Sequence, residues 1–227
     1  MVARASTSIL EEIAAEARRE AFPRDIEAYA EAGRDPALPI AWAGNPTARA
    51  CVVGRDLGWD EVHHGQPLVG PSGKLVRLGV LNAVGMTPSP EDKLLTPALD
   101  HVFLTNIVPY KPPKNRAFGE KVRERFRPQV ERVIACIFQG SVVLTLGNEA
   151  LAWFARYGGA VRGALLARPE DRYQADYPCV LTAACDGGNR LERALTVCPL
   201  PHPSPASAKW KAQFPGLLAA RLSRCMG

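Results

Sequence analysis

Three polar side chains, each just beyond a short apolar run, are the best equipped in this sequence to do chemistry. Asp56 lies two residues past Gly54, where the run Arg49 to Gly54 stops. Its loop continues to a second glycine cluster, Gly65-Gln66-Pro67-Leu68-Val69-Gly70-Pro71-Ser72-Gly73-Lys74. Glycines straight after a strand let the backbone approach a ligand and aim N–H groups at it. A carboxylate there can hold a water, or it can simply cap the next turn. Asn106 follows HVFLT and offers a donor and an acceptor together, the pair that reads the amide edge of a pyrimidine. The alternative is an asparagine that satisfies backbone at a turn. Beyond it Lys111, Lys114 and Arg116 stand among prolines, placed to meet phosphates or to form a solvated basic loop. His202 sits in Pro201-His202-Pro203-Ser204-Pro205, where proline stiffness suits a side chain that must be aimed.

Two other chemistries are excluded by spacing. Gly73-Lys74 ends like a phosphate-binding loop, but Leu68 stands where that loop needs glycine and Leu75 where it needs Ser or Thr. None of the six cysteines forms a C-x-x-C pair, so zinc and simple iron–sulfur signatures are missing. Cys51, Cys136 and Cys198 lie in apolar runs and are expected as buried free thiols.

The elements that must position these residues alternate. Helices are expected over Ser6 to Glu20, Lys74 to Val84, Glu120 to Phe138, from Asn148, and over Ala208 to Arg224. Strands are expected over Arg49 to Gly54, His101 to Val108, Ser141 to Gly147 and Leu195 to Leu200, with a loop over Ala32 to Asn45. The pattern implies an α/β fold, three-layer αβα, around a mostly parallel four-stranded sheet. Ligands then bind beyond the carboxyl ends of the strands, where all three loops emerge. The 227 residues suit a single domain, with residues 1–45 as a helical and loop extension packed on it. No apolar run approaches a membrane span and no signal segment is seen, so a cytoplasmic location is expected. A formal charge of +5 agrees with a nucleic-acid partner without requiring one.

Taken together, the loops resemble the uracil-DNA glycosylase superfamily across roughly residues 49 to 224. His202-Pro203-Ser204-Pro205 is similar to its HPSP motif, and Gly54-Arg55-Asp56 to a first motif that begins Gly-Gln-Asp in the family 1 branch. Thr105-Asn106 matches the strand-end Asn. The segment from Gly65 to Gly73 resembles GRPFVGxAG of the family 4 branch, and Lys111 to Arg116 its RPPxNR. The departures matter as much. Family 4 enzymes hold an iron–sulfur cluster on four cysteines; here the N-terminal pair is missing, and Tyr110 and Phe126 stand at the other two places. No cluster, no other cofactor and no metal are therefore expected. Leu68 replaces the aromatic that stacks on the base. Gly58 stands where family 1 has a thymine-excluding Tyr, and Glu61 where family 4 has an acidic residue with that task. No KRRIH-like stretch follows Asn106, so hydrolysis rather than a trapped adduct is implied.

The resemblance implies a monomeric DNA-repair enzyme that flips uracil out of single- or double-stranded DNA and hydrolyses its glycosidic bond. Asp56 and His202 would be catalytic, with Gly54, Arg55, Gly58, Glu61, Leu68 and Asn106 around the base. Ser72, Lys74, Lys111, Lys114, Arg116, Ser204, Ala206, Ser207 and Lys209 would meet the DNA, with Ala206 at the wedge position. Rival readings are a glycosylase for hypoxanthine, xanthine or mispaired thymine, and a non-catalytic damaged-DNA-binding protein.

Overall fold

The computed structural model describes residues 2–185, 189–203 and 208–226. The chain runs through α1 (Val2–Arg19), α2 (Ile26–Glu31), β1 (Trp42–Gly44), β2 (Ala50–Gly54), α3 (Trp59–His64), α4 (Pro71–Ala83) and β3 (Phe103–Asn106). It continues as α5 (Glu120–Arg132), β4 (Val142–Leu146), α6 (Gly147–Phe154), α7 (Gly159–Leu166), α8 (Pro169–Arg172), β5 (Tyr177–Ala184), β6 (Arg190–Leu200) and α9 (Ala208–Met226).

Among the described residues the sheet has six strands, ordered β1-β3-β2-β4-β6-β5, rather than the four expected. The four expected strands are β2, β3, β4 and β6, and they pair in parallel. β1 and β5 add antiparallel edges. β1 is only three residues long and ends at Gly44, whose φ of +90° brings the backbone against Val102. β5 carries Pro178 and pairs with the charged first half of β6, which starts at Arg190 rather than Leu195.

The parallel strands are covered on both faces, so sequence neighbours serve different cores. Cys51 and Val53 pack with Phe103, Val143 and Val197 beneath α1, α5, α6 and α7. Val52 packs with Leu104, Leu144 and Cys198 beneath α4 and α9. The expected three-layer αβα arrangement results. α4 and α9 cross closely at Gly79, where a Cβ would lie 2.4 Å from Leu218 Cδ2.

The helix expected through Phe138 changes character after Arg132. Phe138 N–H reaches back to Val133 C=O (3.2 Å), a wider turn than the α-helix allows. Arg193 from β6 donates to the carbonyls of Ala135, Phe138, Gln139 and Gly140 at 2.7–3.1 Å. It thereby supplies partners to a helix end that has none of its own. Cys136 in this turn is only partly buried and lies 3.3 Å from the Cys185 sulfur, unlike the deeply buried Cys51 and Cys198. Helix α1 is fastened to α5 by Arg125–Glu16 and Arg132–Glu12 ion pairs.

Phe126 is fully buried between Phe22 and Tyr110, with ring centroids 5.1 and 5.2 Å away, and Phe118 joins through Phe22. No helix among the described residues is long and apolar enough to cross a membrane. Phe126→Ala is expected to cost about 3–5 kcal/mol. The check is a lower denaturant midpoint at an unchanged m value.

Candidate functional site

Parallel register sets the first distance in the site. Gly54 of β2 stands opposite Asn106 of β3 at the carboxyl edge of the sheet. The pairing runs on past the strand ends, through Ile107 N–H to Gly54 C=O (3.0 Å), Val108 N–H to Arg55 C=O (3.2 Å) and Leu57 N–H to Tyr110 C=O (3.3 Å). The first two loops are thereby laced together. A Cβ at position 54 would lie 2.2 Å from Asn106 Oδ1, so only glycine leaves room for that amide. Asn106 is 1% exposed, and neither its Oδ1 nor its Nδ2 has a hydrogen-bond partner. Leaving such a group open costs about 1–3 kcal/mol, and an amide held open at both ends points to a ligand that completes it.

Asp56 is satisfied at one oxygen only. Its side chain is 3% exposed, with Oδ2 accepting from Arg55 Nε (2.8 Å) and Oδ1 buried without a partner. Burial pushes its pKa up to about 6 against the opposing pull of the Arg55 guanidinium. His202 follows β6 and stands exposed at the rim of the same cavity. Partial burial of the imidazole, and after it the Arg55 charge, holds its pKa below the ordinary imidazole value and favours the neutral form. Gly147, at the end of β4 with φ +81°, lets the chain turn away beside it; a Cβ there would stand 3.1 Å from His202 Cβ.

The loop over Gln66 to Gly70 is clamped from two sides. Glu61 Oε1 accepts from the N–H groups of Val69 (3.0 Å) and Gly70 (2.8 Å), and Oε2 from Gly58 N–H (2.8 Å). The carboxylate expected beside the base thus lines the cavity while both its oxygens accept from backbone N–H groups. Arg77, fully buried in α4, donates to the carbonyls of Leu68 (2.9 Å), Pro67 (3.2 Å) and Leu94 (2.9 Å) and to Gln66 Oε1 (3.1 Å). Its burial lowers its pKa to about 10. Between them Leu68 is held at φ +52°, a left-handed conformation unfavourable for a residue with a side chain. The N-terminus of α4 opens onto the same space through Gly70, Pro71, Ser72 and Gly73, and helix N-termini favour anions.

One cavity of about 370 Å³ unites Gly54, Arg55, Asp56, Gly58, Glu61, Leu68, Ser72, Asn106 and His202. Trp59 and Asn115 also line it, and the sequence reading singled out neither. Lys74, Lys114 and Arg116 are exposed. Lys111 is not available to a phosphate, contrary to expectation. Its side chain is 3% exposed, pairs with Asp25 (2.8 Å) and donates to Pro112 C=O (3.2 Å) and Asn115 Oδ1 (2.9 Å). Lys209 is exposed but pairs with Glu170 (2.6 Å) and lies over the ring of Trp210, which itself packs edge-on against Tyr173. Ser204, Ala206 and Ser207 lie outside the described residues.

Burial of Asp56 has a measurable cost. A carboxyl that titrates near 6 when folded and near 3.8 when unfolded costs nothing below the lower value and its full penalty above the higher one. Asp56→Asn is therefore expected to be more stable than wild type at pH 8, by up to about 3 kcal/mol, and equal to it near the lower value. Denaturant unfolding at the two pH values checks both halves.

The family model described as the uracil DNA glycosylase superfamily matches residues 41–223, which hold the sheet and all three loops. A type-4 uracil-DNA glycosylase of Sulfurisphaera tokodaii is 30% identical over 116 residues, 51% of this chain and 47% of the relative. A type-4 uracil-DNA glycosylase of Saccharolobus solfataricus is 31% identical over 110 residues, 48% of this chain and 45% of the relative. The chain spans about half the length of the curated relatives it matches. On the extent of the family match, the chain belongs to the uracil DNA glycosylase superfamily.

Proposed function

We propose that this protein is a DNA glycosylase that flips uracil out of DNA and hydrolyses its N-glycosidic bond, leaving an abasic site. The observation that carries the reading is the buried, unpartnered amide of Asn106 in the same cavity as the unpartnered Oδ1 of Asp56. One group is suited to read a pyrimidine edge and the other to hold a water.

The glycosidic carbon cannot be reached within the stack, so the nucleotide must be extruded. The Asn106 amide donates to the base O4 and accepts from N3–H. As the bond breaks, charge grows on the pyrimidine and the sugar becomes cationic. Neutral His202 donates to O2 and stabilises the departing anion. Arg55 engages Oδ2 of Asp56, leaving Oδ1 to orient the attacking water, and the carboxylate charge favours the cationic sugar. Ser72 and Lys74 at the start of α4, with Lys114 and Arg116 on the second loop, are suited to flanking phosphates.

An iron–sulfur cluster does not fit this chain. At Tyr110 and Phe126, where the family 4 branch carries thiolates, rings pack against each other. Among the described residues no group of three or more His, Cys, Asp and Glu gathers as a metal site. The purified protein is expected to contain no iron by elemental analysis.

A second reading, release of hypoxanthine, xanthine or thymine opposite guanine, is favoured by one feature. Gly58 puts no side chain into the cavity, so nothing at that place screens the base by size. Oligonucleotides bearing each base, followed by alkaline cleavage of abasic sites, separate the readings. Uracil DNA should be cut and Asp56→Asn should be slower by roughly 10²–10⁴-fold. The rate should rise with pH through about 6 as Asp56 ionises, then level off. Tight binding of uracil DNA without base release would leave only a damage-binding protein.

A further inference from the structure

Trp59 is 48% exposed and lines the cavity that holds Asp56 and Asn106. By contrast Trp153 is buried and Trp210 packs on Tyr173. The plane of the Trp59 indole is fixed by two contacts. Nε1 donates to Glu31 Oε2 (3.1 Å), and the His63 ring lies over one face with centroids 3.4 Å apart and planes within 23°. His63 is itself tethered, its Nδ1 3.2 Å from the Trp59 carbonyl oxygen.

We infer that Trp59 is a stacking platform for the nucleobase next to the flipped nucleotide. The inference rests on the glycosylase reading above. Extruding one nucleotide removes a stacking neighbour from the next base and bares its π face. An indole already held by a hydrogen bond and a stacked ring surrenders little freedom when a second ring lands on it. Gly58 and Asp60, the residues on either side of Trp59, line the same cavity, so Trp59 belongs to its wall. Stacking of this kind tolerates any base, and the exposed Lys74, Lys114 and Arg116 supply charge for the strand that carries it.

The test couples Trp59 to the neighbouring base. Binding of a single-stranded oligonucleotide with a tetrahydrofuran in place of the target nucleotide should quench indole fluorescence in wild type. Trp59→Phe should lose that quenching while binding persists. Trp59→Ala should weaken binding roughly 5- to 30-fold, and Trp59→Phe should restore most of it. Removing the base on one side of the target should weaken wild type by the same factor and leave Trp59→Ala unaffected. Independent, multiplying losses at both neighbours, or no quenching in wild type, would overturn the platform. If Trp59→Ala does not fold, wild-type quenching and Trp59→Phe still decide. Quenching and coupling without release of any base would sink the glycosylase reading and leave the platform standing.

Discussion

Position 54 has room for a hydrogen atom and nothing larger, and the rest of the site depends on that. The constraint is made by the sheet. Parallel pairing of β2 with β3 sets Gly54 opposite Asn106, and three further backbone bonds continue the lacing into the loops. A slip of one residue would send every side chain of the strand to the other face and break both cores at once. The placement of the Asn106 amide therefore inherits the cooperativity of the whole fold. It can stay buried without partners because the surrounding packing is strong enough to bear the cost.

Charged side chains do much of the local fastening. Arg77, Arg172, Arg193 and Arg221 each donate to several backbone carbonyls at turns and helix ends. A guanidinium suits this work because one planar group carries five donors. Lys111 is used in the same way, between Asp25 and the second loop. Part of the formal charge of +5 is thus interior architecture rather than a surface for acidic partners.

This explains where the sequence could be read and where it could not. The four parallel strands were legible because each is a compact apolar run that stops at a polar loop. Asn106 and His202 were legible by their place at those stops. β1 was hidden because it is only three residues long and its partner β3 lies far along the chain, and β5 because Pro178 interrupts its run and its partner is the charged start of β6. Lys111 was misjudged because charge suggests exposure, and only tertiary contacts reveal that Asp25 and Asn115 have claimed it. The strained Leu68 backbone and the buried Arg77 behind it had no local signal, since no pattern marks an arginine whose acceptors lie in a different loop.

The crossing of α4 and α9 has a consequence for the wall of the cavity. α4 begins at one wall of the cavity with Ser72, while α9 follows the segment that carries His202. The two helices touch where Gly79 receives Leu218, roughly 10 Å along α4 from Ser72 by helical rise. The contact extends from there through Leu222 and the shared apolar cluster, so each helix fixes where the other lies. A side chain at position 79 would push α9 away from α4, and the cavity wall at Ser72 would shift although nothing in the cavity itself had been changed.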